Sequence, residues 1–458
     1  MRSLTEIRSL LAESGTSAVE LVGEALSRAR DPAGEGARAF TRLYAESAAA
    51  AASRSDARLG KGGKVGPLAG IPISIKDLFD MAGETTLAGS VACRGEPPAV
   101  ADAPAVARLK AAGAVILGKT NMTEFAFSGL GLNPHYGTPL NPWDRATRRI
   151  PGGSSSGAAV SVADGMAAAA LGTDTGGSLR IPAALCGLVG FKPTAGRVPR
   201  AGAFPLSSTL DSVGPIAASV ACCALLDCVL SGDASTVPVP EPARQVRLAA
   251  PQQYVLEGMD AAVGTAFERA KQRLAAAGVQ IDEISLAELD ALPEINAKGG
   301  FAAYEAWAIH RERLQRSAER YDPRVRVRIA RGREMNEADY RALGERRAQF
   351  IARIAGALAG FDAWLAPTVP VIPPALGPLE ASDEAYASAN MLALRNPSIA
   401  NFLDGCSISI PCHEPGGPPV GLMLSAARNA DRRLLAIGLT VQALLSHHST
   451  GENRALRT

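Results

Sequence analysis

Apolar positions recur at helical spacing through residues 4–30 and break at Gly15-Thr16-Ser17, which predicts two short helices. An alanine-rich, helix-like stretch follows and ends in the turn-rich GKGGKVGPLAG (60–70), which leads into a β-branched run, IPISI (71–75), that stops at Lys76-Asp77. Helix-like segments then alternate with short apolar runs, GAVILG (113–118) and LVGF (188–191), and a small-residue helix is expected over 157–170. Residues 260–360 read as mostly helical and highly charged. Strand candidates return at AWLAP (363–367), SISIP (407–411) and PVGLML (419–424). This alternation predicts an α/β protein. Without a repeat or a long low-complexity linker, it favours a single large domain with a helical insertion over two domains divided near the proline-rich STVPVPEPARQ, around residue 240.

Composition narrows the function classes. Lys+Arg number 47 against Asp+Glu 45, a net charge of +2 spread along 458 residues, so there is no electrostatic case for nucleic acid or an anionic membrane. The N-terminal MRSLTEIRSLLAES lacks the uninterrupted apolar core of a signal peptide. Of the two most apolar later stretches, 158–171 is broken by Asp164 and 434–445 is too short to span a bilayer. Seven scattered cysteines (93, 186, 222, 223, 228, 406, 412) fit reduced thiols better than a disulfide framework. The expectation is a cytoplasmic protein. The group Cys222, Cys223 and Cys228 lies in an apolar helix-like run without a histidine and reads as core rather than metal site.

Two motifs match patterns whose physics they fail. GAVILGKT (113–120) has Walker A spacing, yet Ala-Val-Ile-Leu between the glycines makes a buried strand, not a loop of convergent N–H groups. Gly153-Ser154-Ser155-Ser156-Gly157 satisfies the nucleophile-elbow pattern, but the preceding NPWDRATRRIPG is polar and turn-rich where an elbow needs a strand. A hydrolase triad would also need a histidine. Of the five present, His447 and His448 lie in a polar tail and His135 and His413 sit beside turns, so the base of an enzyme here is expected not to be histidine.

A different constellation remains. In GTDTGGSLRIPAALCG (172–187), two glycines precede Ser178, which lets several N–H groups turn toward one point beside a hydroxyl, the arrangement an oxyanion hole requires. With histidine disfavoured, the base could be a lysine kept neutral by burial. Lys76 ends an apolar run, where a lysine is either functional or paired, for instance with Asp77. Lowering its pKa from ~10.4 to about 7–8 takes roughly 4 kcal/mol, which desolvation can supply.

Together LAGIPISIKD (68–77), GAVILGKTNMTEFAF (113–127) and PGGSSSGAAVSVADGMAAAALGTDTGGSLRIPA (151–183) resemble the amidase signature family, and the likeness runs from about residue 4 to 445. The resemblance implies one large amidase-signature domain, a central mixed β-sheet covered by helices on both faces. Residues 1–60 would form helices packing on the core, and 61–458 would form the α/β/α domain with a mainly helical insertion at about 240–360. It implies a Ser–Ser–Lys triad: Ser178 as acylated nucleophile, Ser154 as bridging serine after a cis Gly153–Ser154 peptide, and Lys76 as base. Backbone N–H groups of Thr175, Gly176, Gly177 and Ser178 would hold the oxyanion; Ser155, Asp174 and Arg180 would support the site; Cys186 reads as core. Substrate walls are expected from Phe125–Leu132, including Phe125, Ala126 and Gly129, from Phe204–Ser208, and from Phe301, Tyr304 and Trp307. Their apolar content hints at an aryl or alkyl acyl group. The implied partner is a small amide, with no cofactor or metal, and a homo-oligomer is compatible with the sequence. The implied activity is amide hydrolysis by a stand-alone amidase. The alternative is the glutaminase subunit of a tRNA-dependent amidotransferase, disfavoured because 394–405 lacks an acid ahead of Asn401.

Overall fold

The structure is a computed structural model that describes residues 2–60 and 65–446. Its strands, in chain order, are β1 (Phe40–Leu43), β2 (Pro72–Lys76), β3 (Val115–Thr120), β4 (Ala169–Asp174), β5 (Val189–Lys192), β6 (Ser212–Ala217), β7 (Arg247–Pro251), β8 (Gln280–Ile284), β9 (Ala363–Pro367), β10 (Cys406–Pro411) and β11 (Gly421–Ala426). They form one 11-stranded sheet in the order β1-β3-β2-β4-β6-β5-β10-β11-β9-β7-β8. The sheet is mixed: β2 runs parallel to β3 and β4, and β7 runs parallel to β8 and β9. The remaining pairs are antiparallel.

Side-chain alternation on the strands assigns each face a helical layer. On β2, Ile73 and Ile75 join a large core that also takes Leu4, Ile7 and Leu11 of the N-terminal helix, Leu226 of helix Val220–Ser231 and Leu434 of helix Asp431–Ser446. Ser74 and Lys76 point the other way. There the Ser74 hydroxyl meets Ser161 of helix Ser156–Ala163 at 2.9 Å. On β6, Val213 and Ala217 join the first layer, and Ile216 packs with Ala158, Val160 and Val162 of the second.

The structure departs from one expectation of secondary structure. The helix predicted over 157–170 ends at Ala163, because Gly165 turns the chain with φ 68° and Ser161 O accepts the N–H of Met166 and of Ala167. The alanines beyond form β4, buried on both faces, where an apolar run cannot be told from a helix by periodicity. The 240–360 region is mainly helical and also contributes β7 and β8 to one edge of the sheet. β8 is an edge strand, partly exposed along its length, and so lacks the apolar signal of a buried strand. The Walker-like stretch is strand β3, with Lys119 inside it.

Candidate active site

Lys76 is the last residue of β2 and 0 % exposed. Strand alternation sends it to the same face as Ser74, toward the loop that enters helix Ser156–Ala163. Its Nζ donates to Ser154 Oγ at 2.7 Å and to Thr173 Oγ1 at 2.9 Å. Burial pushes the ammonium down to about 7, while the charges of Asp174 and Asp211 pull it upward. The peptide before Ser154, Gly153–Ser154, is cis. Gly153 is required for closeness: a Cβ there would stand 2.5 Å from Gly131 N, and its own N–H donates to Gly129 O at 2.8 Å.

Ser178 lies in the turn between β4 and helix Arg180–Leu185, 3 % exposed. The turn is wound around the carboxylate of Asp174. Its Oδ1 accepts Gly177 N–H at 2.7 Å, and Oδ2 accepts Leu179 N–H at 3.1 Å. Arg180 grips both oxygens, Nε to Oδ2 at 3.0 Å and Nη2 to Oδ1 at 2.9 Å. Asn401 closes the group by donating to Asp174 Oδ1 at 2.9 Å and accepting from Arg180 Nη2 at 2.6 Å. Burial would raise Asp174, but the guanidinium overrides it and holds the carboxyl down at about 2. Gly177 N–H, one of the four expected oxyanion donors, already has Asp174 Oδ1 as its acceptor. Among the described residues no acceptor takes the N–H of Gly176 or of Ser178.

A cavity of about 340 Å³ borders this centre, lined by Thr173 and Thr175 on one side and by Ala126, Phe204, Leu206 and Asp211 among others. Phe125 and Ala126 both hold left-handed φ, 50° and 60°, a costly conformation for such residues. Phe125 does not line the cavity. It packs behind the wall, against Phe204, His310 and Tyr321. Gly129 contributes its carbonyl to the Ser154 loop.

Phe301 and Tyr304 pack against Tyr340 and Trp307 packs on the main core; none of the three lines the cavity. Ser155 donates to Thr173 O at 3.4 Å and makes no hydrogen bond with Lys76. Lys76 does not pair with Asp77, whose ion-pair partner is Lys119 at 3.8 Å. Cys186 is buried, its thiol pushed up by burial and directed at Pro151 O. Of the histidines, His135 bonds Glu124 at 2.8 Å, His310 bonds Tyr321 at 3.0 Å, and His413 bonds the Val420 backbone. His447 and His448 lie outside the described residues. Thr173, Asp211 and Asn401 belong to the site without any sign of it in their local sequence. Thr173 and Asp211 adjoin the ends of paired strands, a signal visible only once the register is known. No helix among the described residues is long and apolar enough to cross a membrane.

Comparison with known proteins gives a consistent picture. A family profile described as Amidase matches residues 20–435. The chain is 40% identical over 405 residues to the 2-amino-5-chloromuconic acid deaminase of Comamonas testosteroni, covering 87% of this chain and 86% of that protein. It is 35% identical over 484 residues to a glutamyl-tRNA(Gln) amidotransferase subunit of Chloroflexus aurantiacus, covering 98% and 97%. A crystal structure of an amidase superposes with a TM-score of 0.87 at 36% identity, covering 97% of this chain and all of that one.

Two stability predictions follow from the buried charges. Between pH 7 and 10.5 the unfolded chain binds a proton at Lys76 that the folded chain lacks, so this lysine costs stability, most at or below pH 7 and progressively less above it. Lys76→Met is therefore expected to melt higher than wild type at pH 7, with the advantage shrinking toward pH 10. A melting temperature below wild type at pH 7 contradicts the cost assigned to burial. Arg180→Met leaves Asp174 buried without its cation and is expected to lose about 3–5 kcal/mol in denaturant unfolding, against a smaller loss when Asp174→Asn accompanies it.

Proposed function

Because this chain belongs to the amidase family and hydrolyses amide C–N bonds, we propose that it works as a stand-alone amidase through an acyl-serine intermediate, with Ser178 as nucleophile. The observation that carries this reading is Lys76: a fully buried lysine near its neutral form, donating to Ser154 at 2.7 Å. Neutral Lys76 takes a proton from Ser154, and Ser154 takes one from Ser178 as its oxygen attacks the amide carbonyl. The N–H groups of Gly176 and Ser178 hold the oxyanion, together with that of Thr175; loss of one donor in such a site costs on the order of 3 kcal/mol. Collapse returns the proton through Ser154 to the leaving nitrogen, and the C–N bond breaks. Water, deprotonated by the same relay, then attacks the acyl-serine and frees the acid.

Asp174, Arg180 and Asn401 support the turn. Ser155 steadies the carbonyl of Thr173. The cavity walled by Ala126 and Phe204 receives an apolar acyl group. Seven free cysteines, six of them buried, support a cytoplasmic home.

The amidotransferase relatives raise a second reading, a glutaminase working inside a complex. Residues 394–405 speak against it. Ser398, beside Gly176, spends its hydroxyl on Arg395 O, and the first acid of this stretch, Asp404, is tied to Arg428. No carboxylate in that stretch is left to take the ammonium of glutamine.

The purified chain, assayed alone against aliphatic, aryl, amino-acid and carbamate amides and unsaturated amino acids, is expected to release ammonia or amine from at least one. Activity that requires tRNA and a second protein contradicts the stand-alone reading. Ser178→Ala is expected to abolish turnover while the fold persists. As the base must be neutral, kcat/KM is expected to climb with pH through about 7, and a flat profile from about pH 5 to 9 contradicts the role of Lys76.

A further inference from the structure

The ladder joining β4 to β6 sets Asp174 opposite Ser212, so the residue after β4, Thr175, meets the residue before β6, Asp211. The Thr175 hydroxyl donates to Asp211 Oδ1 at 2.5 Å. Oδ2 accepts the N–H groups of Leu206 and Ser207, each at 3.0 Å. Ser207 in turn donates its hydroxyl to Glu305, as do Thr209 at 2.5 Å and Tyr340 at 2.6 Å. One chain of hydrogen bonds thus runs from helix Gly300–Ser317 through the loop that walls the cavity to the nucleophile turn. Asp211 and Glu305 are both buried.

A buried carboxylate is costly unless something is gained by it. Two things are gained here. Leu206 and Asp211 line the cavity with Thr175, so the carboxylate joins the nucleophile turn to the adjoining stretch of wall. Its charge also reaches Lys76, in company with that of Asp174. The cation of its own loop, Arg200, is turned to main-chain oxygens, those of Ser208 and Asp211.

We propose that Asp211 is a positioning residue for the amide hydrolysis: it fixes the Thr175 end of the nucleophile turn, and with it the oxyanion-binding N–H groups, to the wall of the substrate cavity. A substrate that fills the cavity against Phe204 and Leu206 then bears, through Asp211, on the groups that meet its carbonyl. The inference rests on Ser178 being the nucleophile, which Ser178→Ala tests independently of anything done at Asp211.

The test is a cycle of Asp211→Asn, Thr175→Val and the double variant, each in the full chain, with one amide that the wild type hydrolyses. Each single variant is expected to lower kcat by about tenfold or more, within the roughly hundredfold that a ~1 Å misplacement of reacting groups can cost, with KM changing less. The double variant is expected to be no slower than the slower single. In Asp211→Asn, but not Thr175→Val, the acid limb of kcat/KM is expected to move to lower pH, because a negative charge that favours protonated Lys76 has gone. A merely structural role would lower the melting temperature and leave this limb in place. Unchanged kcat in folded variants, losses that multiply independently, or an unmoved limb would each overturn the proposal. If Asp211→Asn does not fold, Thr175→Val removes a single hydroxyl and decides alone: wild-type kcat refutes it, and reduced kcat at nearly constant KM upholds it.

Discussion

The burial of one ammonium group governs this site. Removing Lys76 from water is expensive, and the protein meets the cost with two hydroxyl acceptors, Ser154 and Thr173, rather than with a carboxylate in contact. A contacting acid would have kept the lysine charged and chemically inert as a base. The nearby acids are instead held elsewhere: Asp174 by Arg180 and Asn401, and Asp211 by a hydroxyl and two backbone N–H groups. They act on Lys76 only through their fields.

The second constraint is the turn carrying Ser178. Its shape comes from Asp174, which accepts two N–H groups of the turn and is locked by a bidentate arginine from the next helix. Arg180 then reaches Pro397 O and the hydroxyl of Ser407 on β10, 217 and 227 positions away in sequence. The turn is therefore anchored to helix Asp383–Phe402 and to the far half of the sheet, so the catalytic geometry depends on distant parts of the chain. This is a reason for the single extended sheet: it holds β2, β4, β6 and β10 in one fixed frame.

Much of this was legible in the sequence, for identifiable reasons. IPISIK declares itself because a lysine at the end of a β-branched run is anomalous, and the strand's two-residue period sends Lys76 to the face of Ser74. The glycines of 152–157 and 172–177 announce close backbone approaches. What stayed hidden depends on register or on tertiary override. The alanines of β4 carry no periodicity to separate strand from helix, and Gly214-Pro215 in β6 reads as a break although the strand continues through both. Phe301, Tyr304 and Trp307 looked like pocket walls because aromatic content alone cannot distinguish a cavity lining from a core. Asp211 gave no local sign, since its meaning comes from standing across a ladder from Thr175.

The proposed mechanism depends on Lys76 being a neutral base at the pH at which the enzyme works. Carbon-13 labelling of the lysine side chains, with the Lys76 resonance assigned by its loss in Lys76→Met, reports this directly through the pH dependence of the ε-carbon shift. A titration midpoint near 7 is expected. A midpoint close to that of a solvent-exposed lysine, about 10.4, would contradict the assignment of Lys76 as the base.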